Sequence, residues 1–203
     1  MTIPDNILDV QQQQQVMKSR VRPILSVVLL FTLVTSSLLL SESYFARHRA
    51  SENILFFDGV CNLCDGFVQF LAKRDSTGRI HYAAIQEHTK ELESLGAGNY
   101  AVGGSDALST MVLAQNEIIY TRSTAALRTI ALLDRPWRYL FALIVLPQHV
   151  RDILYRIVAK HRYRIFGQSE TCHAPRRQFE DRFLGEKNKE VPSWMHNKAV
   201  FDA

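Results

Sequence analysis

Two cysteines separated by two residues carry the clearest chemical signal in this chain of 203 residues. Cys61 and Cys64 follow the apolar run of residues 53–57, at a point where a strand is expected to give way to a helix. A Cys-x-x-Cys pair can close a disulfide within one helical turn, and the start of a helix favours the thiolate that performs disulfide exchange. In this setting the spacing predicts a redox site.

Different roles are predicted for the two sulfurs. Cys61, nearer the start of the helix, is expected to attack a partner disulfide as a thiolate, and Cys64 is expected to resolve the mixed disulfide that results. Because Cys64 lies one turn into the helix, we expect its side chain to be the less exposed of the two. The same position predicts a pKa for Cys61 well below the value of about 8.5 of a free thiol.

Asp58 and Gly59 precede the pair and are predicted to support it. A carboxylate close to the thiols opposes thiolate formation because the charges are alike, yet it can also relay protons. The favoured interpretation is an Asx turn, in which the oxygens of Asp58 accept backbone N–H groups of the loop. Gly59 is expected to let the backbone turn tightly.

A zinc site is the alternative use of these thiols. Cys61, Cys64 and Cys172, joined by His173, would supply four ligands of the type found in structural zinc sites, and the protein would then be a structural or interaction module. Ligands at adjacent positions 172 and 173 are geometrically awkward, and the chain has no second Cys-x-x-Cys. We therefore expect Cys172 to be a free buried cysteine, and we expect no metal and no organic cofactor.

Apolar periodicity and turn residues predict the elements that position the pair. They are a strand over 53–57, a helix over 61–74, a strand over 80–84, a polar helix over 86–95, a hairpin over 110–120 that turns at Gln115-Asn116, a helix capped by Thr121 or Ser123, and helices over 136–146 and 148–165, the last ending at Gly167. A right-handed crossover makes the first two strands parallel, and the hairpin adds an antiparallel pair. This order predicts an α/β, thioredoxin-like sheet of about four strands with flanking helices and two extra C-terminal helices.

The residues around the pair resemble the DCC-type thiol–disulfide oxidoreductase family, whose pattern Asp-Gly-x-Cys-x-x-Cys falls on Asp58, Gly59, Cys61 and Cys64. Further matching pieces are Arg74-Asp75, Ala84-Ile85-Gln86, residues 120–127, Trp137, Pro147, Arg151-Asp152, Tyr155, residues 162–164, Gly167 and Cys172. The resemblance covers about residues 52–175. It implies a thioredoxin-like fold and thiol–disulfide exchange of the protein-disulfide reductase type, with a protein or a small-molecule disulfide or dithiol as partner.

Two features depart from ordinary thioredoxins. The stretch Leu108-Ser109-Thr110, before the third strand, lacks the cis-proline that helps thioredoxins to bind substrate, and Asn62-Leu63 replaces the familiar Gly-Pro between the cysteines. Substrate docking and redox poise therefore cannot be carried over from thioredoxin. Two other matching pairs, Arg122-Ser123 and Arg151-Asp152, are interpreted as capping and ion-pairing residues that lock helices together.

The first fifty residues differ in kind from the rest. Basic residues precede Pro23, and the stretch from Ile24 to Leu40 carries no charge. Its 17 residues would rise about 25 Å as a helix, slightly less than a hydrocarbon core of about 30 Å. The pattern predicts a hydrophobic leader helix within a cleaved or two-part targeting leader; an uncleaved anchor with membrane association through residues 24–40, or a buried soluble helix, are the alternatives. The predicted location is membrane-anchored, or imported into an organelle or the secretory pathway.

Composition narrows the remaining possibilities. The chain is 47% hydrophobic and 22% charged, as in ordinary globular proteins, and three cysteines are too few for a disulfide scaffold. The formal net charge of +4 comes without an aromatic and basic recognition motif, so no nucleic-acid partner is expected. The predicted organisation is a leader or anchor over 1–50, one domain over 51–175, and a polar tail over 176–203.

Overall fold

A computed structural model describes residues 25, 28–29, 31–36, 38–47, 53–100, 110–116, 118–169 and 177–184. The strands are β1 (Asn53–Phe57), β2 (Ile80–Ala84), β3 (Val112–Gln115) and β4 (Ile118–Thr121), and they form one sheet in the order β2-β1-β3-β4. β1 pairs in parallel with β2 and antiparallel with β3, and β3 and β4 form the hairpin. The predicted sheet and its mixed strand directions are confirmed.

Helices flank this sheet, and the mixed α/β, thioredoxin-like fold is confirmed. The helix α1 comprises the helical residues described between 25 and 47, and it is followed by α2 (Asn62–Ala72), α3 (Thr89–Ser94), α4 (Arg122–Ala131) and α5 (Gln148–Phe166). 3₁₀ segments cover Gly98–Tyr100, Trp137–Val145 and Arg177–Arg182. Two predictions were wrong in detail: the segment after Pro136 is 3₁₀ rather than α-helical, and α3 begins after a turn that takes up residues 85–88.

The first strand is buried on both faces, as its continuous apolar sequence predicts. Leu55 and Phe57 pack in the same cluster as Val68 of α2, and Ile54 and Phe56 pack in the opposite cluster with Leu92 of α3. Burying one large apolar side chain stabilises a fold by about 1.5–3 kcal/mol. This two-sided packing fixes the C-terminal end of β1, from which the cysteine loop begins.

The predicted polar tail contains a segment that belongs to the core. Phe179 and Leu184 are only 8% and 4% exposed, and the N–H of Leu184 donates to the carbonyl of Tyr82 at 2.8 Å. Three apolar side chains, those of Phe179, Phe183 and Leu184, attach this otherwise polar stretch to the core, although they show no periodicity that would predict an element.

The C-terminal part of α1 is attached to the domain. The hydroxyl of Ser41, which is fully buried, donates to the carbonyl of Arg138 at 2.9 Å, and the hydroxyl of Tyr44 donates to the side chain of Gln115 at 2.5 Å. The residues before Ser41 expose apolar side chains, among them Phe31 at 69%. No helix in the described part of the chain is long and apolar enough to cross a membrane. The leader and the anchor stay predictions.

The two matching residue pairs join α4 to α5 as predicted, but through hydrogen bonds rather than through an ion pair of Arg151 or Asp152. The hydroxyl of Ser123 donates to the carboxylate of Asp152, and a guanidinium nitrogen of Arg151 donates to Ser123 Oγ at 3.1 Å. The predicted capping was wrong, because the N-cap residue Thr121 makes no side-chain hydrogen bond to the helix start. Ser123 therefore positions α5, the helix that completes the cysteine site.

Candidate active site

The cysteine pair lies where β1 gives way to α2. Cys61 is the N-cap residue of α2, and its sulfur accepts the backbone N–H of Cys64 at 3.4 Å. Side chains at this position satisfy one of the free N–H groups at the helix start, where the helix dipole also favours negative charge. The local backbone therefore stabilises a thiolate at Cys61.

A hydrogen bond joins the two sulfurs of the reduced pair. The thiol of Cys64 donates a hydrogen bond to the sulfur of Cys61, and this bond, together with the N–H of Cys64 and the positive charge of Arg162, lowers the pKa of Cys61 to about 6 although burial opposes it. The same hydrogen bond, with burial, raises the pKa of Cys64. The reduced pair thus holds its negative charge on Cys61 and its proton on Cys64.

The exposure of the two side chains is the reverse of the prediction. Cys61 has no exposed surface, whereas Cys64 is half-buried. The chain that follows α5 accounts for this, since Gln168 forms a β-bridge with Cys61 and the N–H of Ser169 donates to the carbonyl of Val60 at 2.9 Å. Cys61 is therefore the more acidic of the two cysteines, and Cys64 is the more exposed.

The same segment is held to the start of α2. The side-chain amide of Asn62 donates to the carbonyl of Phe166 at 2.8 Å. Gly167, which ends α5 as predicted, has a φ of +76° that favours glycine, and a Cβ there would lie 3.2 Å from the amide nitrogen of Asn62. A glycine at this position lets the chain turn back against the cysteine loop.

Asp58 and Gly59 lie in the loop between β1 and the cysteine pair. One oxygen of Asp58 accepts the N–H of Val60 at 3.2 Å, which confirms the predicted Asx turn, and it also accepts the side-chain amide of Gln86 at 2.8 Å. The side-chain oxygen of Gln86 accepts the N–H of Gly59 at 3.1 Å. Gln86 follows β2, so this residue ties the cysteine loop to the neighbouring strand.

A buried ion pair completes the support of the loop. Arg162 of α5 donates to the second oxygen of Asp58 at 2.7 Å, and the two side chains are 5% and 1% exposed. The hydroxyl of Tyr163 also donates to this oxygen and accepts a hydrogen bond from Arg162 at 2.8 Å. Four donors therefore converge on the Asp58 carboxylate, which makes it a fixed structural anion rather than a free proton relay.

Arg162 also balances the charge near the thiol of Cys61. The negative charge of Asp58 raises the pKa of Cys61, and the positive charge of Arg162 lowers it. The positive charge of Arg162 thus offsets the like-charge penalty expected from Asp58. The prediction gave Arg162 no role, although Arg151, Tyr155 and Arg162 recur at spacings of four and seven and therefore share one face of the helix.

An apolar pocket of about 180 Å³ opens beside Cys64. It lies between α2, α4, α5 and the residue that precedes β3. Its lining residues are Leu63, Cys64, Phe67, Met111, Ala126, Tyr155, Val158, Ala159 and Arg162. The N–H of Met111 donates to the hydroxyl of Tyr155 at 2.8 Å, so the polar groups on this wall bond to each other. The pocket adjoins the more exposed of the two cysteines.

The zinc alternative stays a prediction. Within the described residues, no group of three or more histidine, cysteine, aspartate or glutamate side chains is arranged to hold a metal ion. Cys172 and His173, which the alternative requires, lie outside the described residues, as does the expected burial of Cys172.

A pH titration of the reduced protein tests the acidity of Cys61. We expect the ultraviolet absorbance of the thiolate to rise through a midpoint near pH 6, because Cys61 loses its proton there, and this step should be absent from Cys61→Ser. Absorbance is measured because it does not require a reagent to reach the buried sulfur. A midpoint near that of a free thiol, about 8.5, would contradict the assignment.

Comparison with known proteins agrees with this geometry. The family model for DCC1-like thiol-disulfide oxidoreductases matches residues 55–168, more than half of the chain. An uncharacterised protein of Bacillus subtilis, YuxK, is 38% identical over 133 residues, which are 64% of this chain and 93% of YuxK. A chloroplastic DCC family protein of Arabidopsis thaliana is 38% identical over 120 residues, 59% of this chain and 67% of that protein. No solved structure matches significantly. The chain belongs to the DCC1-like thiol-disulfide oxidoreductase family.

Proposed function

We propose that this protein exchanges disulfides with a partner through Cys61 and Cys64, which cycle between a dithiol and an internal disulfide. The observation that supports this most directly is the hydrogen-bonded sulfur pair at the start of α2, with an acidic thiol at the N-cap and a proton-bearing thiol one turn later. Such a pair combines a nucleophile with its own resolving group.

The exchange proceeds in two balanced steps. The Cys61 thiolate bonds to one sulfur of a partner disulfide, and the other partner sulfur leaves as a thiolate. Cys64 then loses its proton and attacks the Cys61 sulfur, which releases the second partner thiol and leaves the Cys61–Cys64 disulfide. The partner is reduced by two electrons and the cysteine pair is oxidised by two; the reverse sequence oxidises a partner dithiol.

The surrounding residues position the pair for this chemistry. The Asp58–Arg162 ion pair holds the loop without adding net charge beside the thiolate. The bridge between Gln168 and Cys61 restricts the approach to the buried sulfur, so the partner approaches from the side of the half-buried Cys64.

A single-turnover experiment tests the proposal. The reduced protein is mixed anaerobically with an excess of a disulfide-bonded peptide, and free thiols are counted by alkylation and mass spectrometry. Two of the three thiols of the chain should disappear, both mapped to Cys61 and Cys64, and the double variant with serine at both positions should lose none. Unchanged thiols in the wild-type protein would refute the proposal. Stoichiometric zinc that is bound by wild type and lost from Cys172→Ser would support the zinc module instead.

The compartment and the membrane contact are proposed from the first fifty residues. No acidic residue occurs from Gln11 to Ser41, as in organellar leaders, and a relative in Arabidopsis is named as chloroplastic. We propose import into a membrane-bounded compartment, with the exposed apolar side chains of α1 supporting membrane association through residues 24–40. Fusion of residues 1–50 to a fluorescent protein would test both; a diffuse cytosolic signal would refute them.

A further inference from the structure

The pocket beside Cys64 has the properties of a specificity site. We infer that it binds one large apolar side chain of a partner protein, such as leucine or phenylalanine, next to the cystine that reacts with the pair. This inference rests on the proposed disulfide exchange and adds the chemistry by which the partner is recognised.

Size and lining indicate the occupant. An apolar cavity of about 150 Å³ suffices to bind benzene, so a pocket of about 180 Å³ is large enough for one aliphatic or aromatic side chain. Leu63, Phe67 and Met111 contribute side chains that gain contacts when a partner group replaces water.

Two polar groups of the lining are bonded within the protein. The guanidinium of Arg162 donates to Asp58 at 2.7 Å, and the hydroxyl of Tyr155 accepts the N–H of Met111 at 2.8 Å. An anionic or strongly polar occupant would have to compete with these bonds. An apolar side chain leaves both of them intact, so the electrostatics favour it.

The surface around the pocket indicates that the partner is a protein. Val158 lines the pocket and is 51% exposed, and its neighbours on α5, Leu154 and Ile157, are 58% and 53% exposed. A single exposed apolar residue is ordinary, but a contiguous apolar patch marks an interaction surface. The pocket thus continues into an apolar helix face that a peptide chain can cover.

The consequence for the reaction is one of orientation. A side chain held in the pocket places the neighbouring cystine over Cys64 and beside the Cys61 thiolate. The bonds then form and break as in the two steps of the proposed exchange, so no further reactant is required. The pocket determines which partner reacts fastest, and the two cysteines carry out the exchange.

Two synthetic peptides test the inference. They carry the same internal disulfide and differ only in the residue next to one cysteine, which is leucine in one and glycine in the other. Single-turnover rates are measured with the reduced full-length protein, without any other reductant. We expect the leucine peptide to react about 10-fold faster, at the lower end of what burial of a leucine side chain supplies.

Two matched variants locate the effect. Val158 lines the pocket and Val150 does not, although both lie on α5 and are 51% and 48% exposed. Val158→Thr should lower the preference for the leucine peptide several-fold, because a hydroxyl replaces a methyl group in the pocket, whereas Val150→Thr should leave the preference unchanged. Ala159→Leu, which fills the pocket from inside, should abolish it. Thermal unfolding and circular dichroism establish that each variant is folded.

The possible outcomes distinguish a failure of the pocket inference from a failure of the proposed disulfide exchange. Equal rates for the two peptides in wild type, or a preference that survives both Val158→Thr and Ala159→Leu, would overturn the inference while disulfide exchange itself still stands. A reduced protein that reacts with neither peptide would refute the exchange and the inference together.

Discussion

Cys64→Ser is expected to accumulate a covalent mixed disulfide with its partner, and Cys61→Ser is expected to accumulate none. At pH 7 a thiol with a pKa of about 6 is about nine-tenths thiolate, as Cys61 is in the intact pair. Burial still raises the pKa of Cys64 when Cys61 is replaced by serine, so this thiol stays mostly protonated. A lower pKa weakens each thiolate as a nucleophile, but this loss is smaller than the gain in population. Attack by Cys61 therefore dominates, and without Cys64 its product is not resolved.

The measurement is a non-reducing gel with mass-spectrometric mapping of the trapped species, from the peptide reaction and from cells. The double serine variant is the control for disulfides formed during work-up. Acidity favours attack by Cys61 and exposure favours attack by Cys64, so the trapped species shows which property decides. Accumulation in Cys61→Ser instead would assign the attack to Cys64 and show that access outweighs acidity.

Arg162→Met is expected to destabilise the protein by about 3–5 kcal/mol, since it leaves the buried Asp58 carboxylate without its cation. Arg164→Met is a matched control, because Arg164 lies on the same helix with an exposed side chain and its loss should cost no more than about 0.5 kcal/mol. The free energy of unfolding is measured with urea. The pKa of Cys61 should also rise in Arg162→Met, because a positive charge that lowers it is removed.

A double substitution distinguishes a charge effect from lost packing. Asp58→Asn added to Arg162→Met removes the unpaired charge, so much of the lost stability should return. If Arg162→Met costs no more than Arg164→Met, or if Asp58→Asn brings no recovery, the ion pair is not a main support of the cysteine loop.

Local sequence was sufficient to predict the centre of the fold. The bounds of β1 and β2 agree with the prediction because each is a short apolar run that ends at a turn. The location of Cys61 and Cys64 at the strand–helix junction follows from the same local pattern. The Asx turn at Asp58 is equally local, since its carboxylate bonds to the N–H two residues further along the chain.

Contacts between distant residues were not predictable in this way. Arg162 and Asp58 are separated by 104 positions, and nothing in the neighbourhood of either residue specifies the other. The same holds for Gln168 beside Cys61, and the exposure of the two cysteines was predicted wrongly for this reason. Phe179 and Leu184 joined the core from a segment without periodicity, where composition alone indicated a polar tail.

The attachment of α1 restricts where the predicted leader could be removed. Glu42 bonds to Arg135 at 3.1 Å, and Tyr44 reaches Gln115, whose amide in turn donates to Asn53 on β1. A processing protease that cut after Tyr44 would deprive a buried glutamine of its hydroxyl partner and expose apolar surface that Tyr44 now covers. Removal of the predicted leader that keeps these contacts and the bond of Ser41 to Arg138 would require cleavage upstream of Ser41.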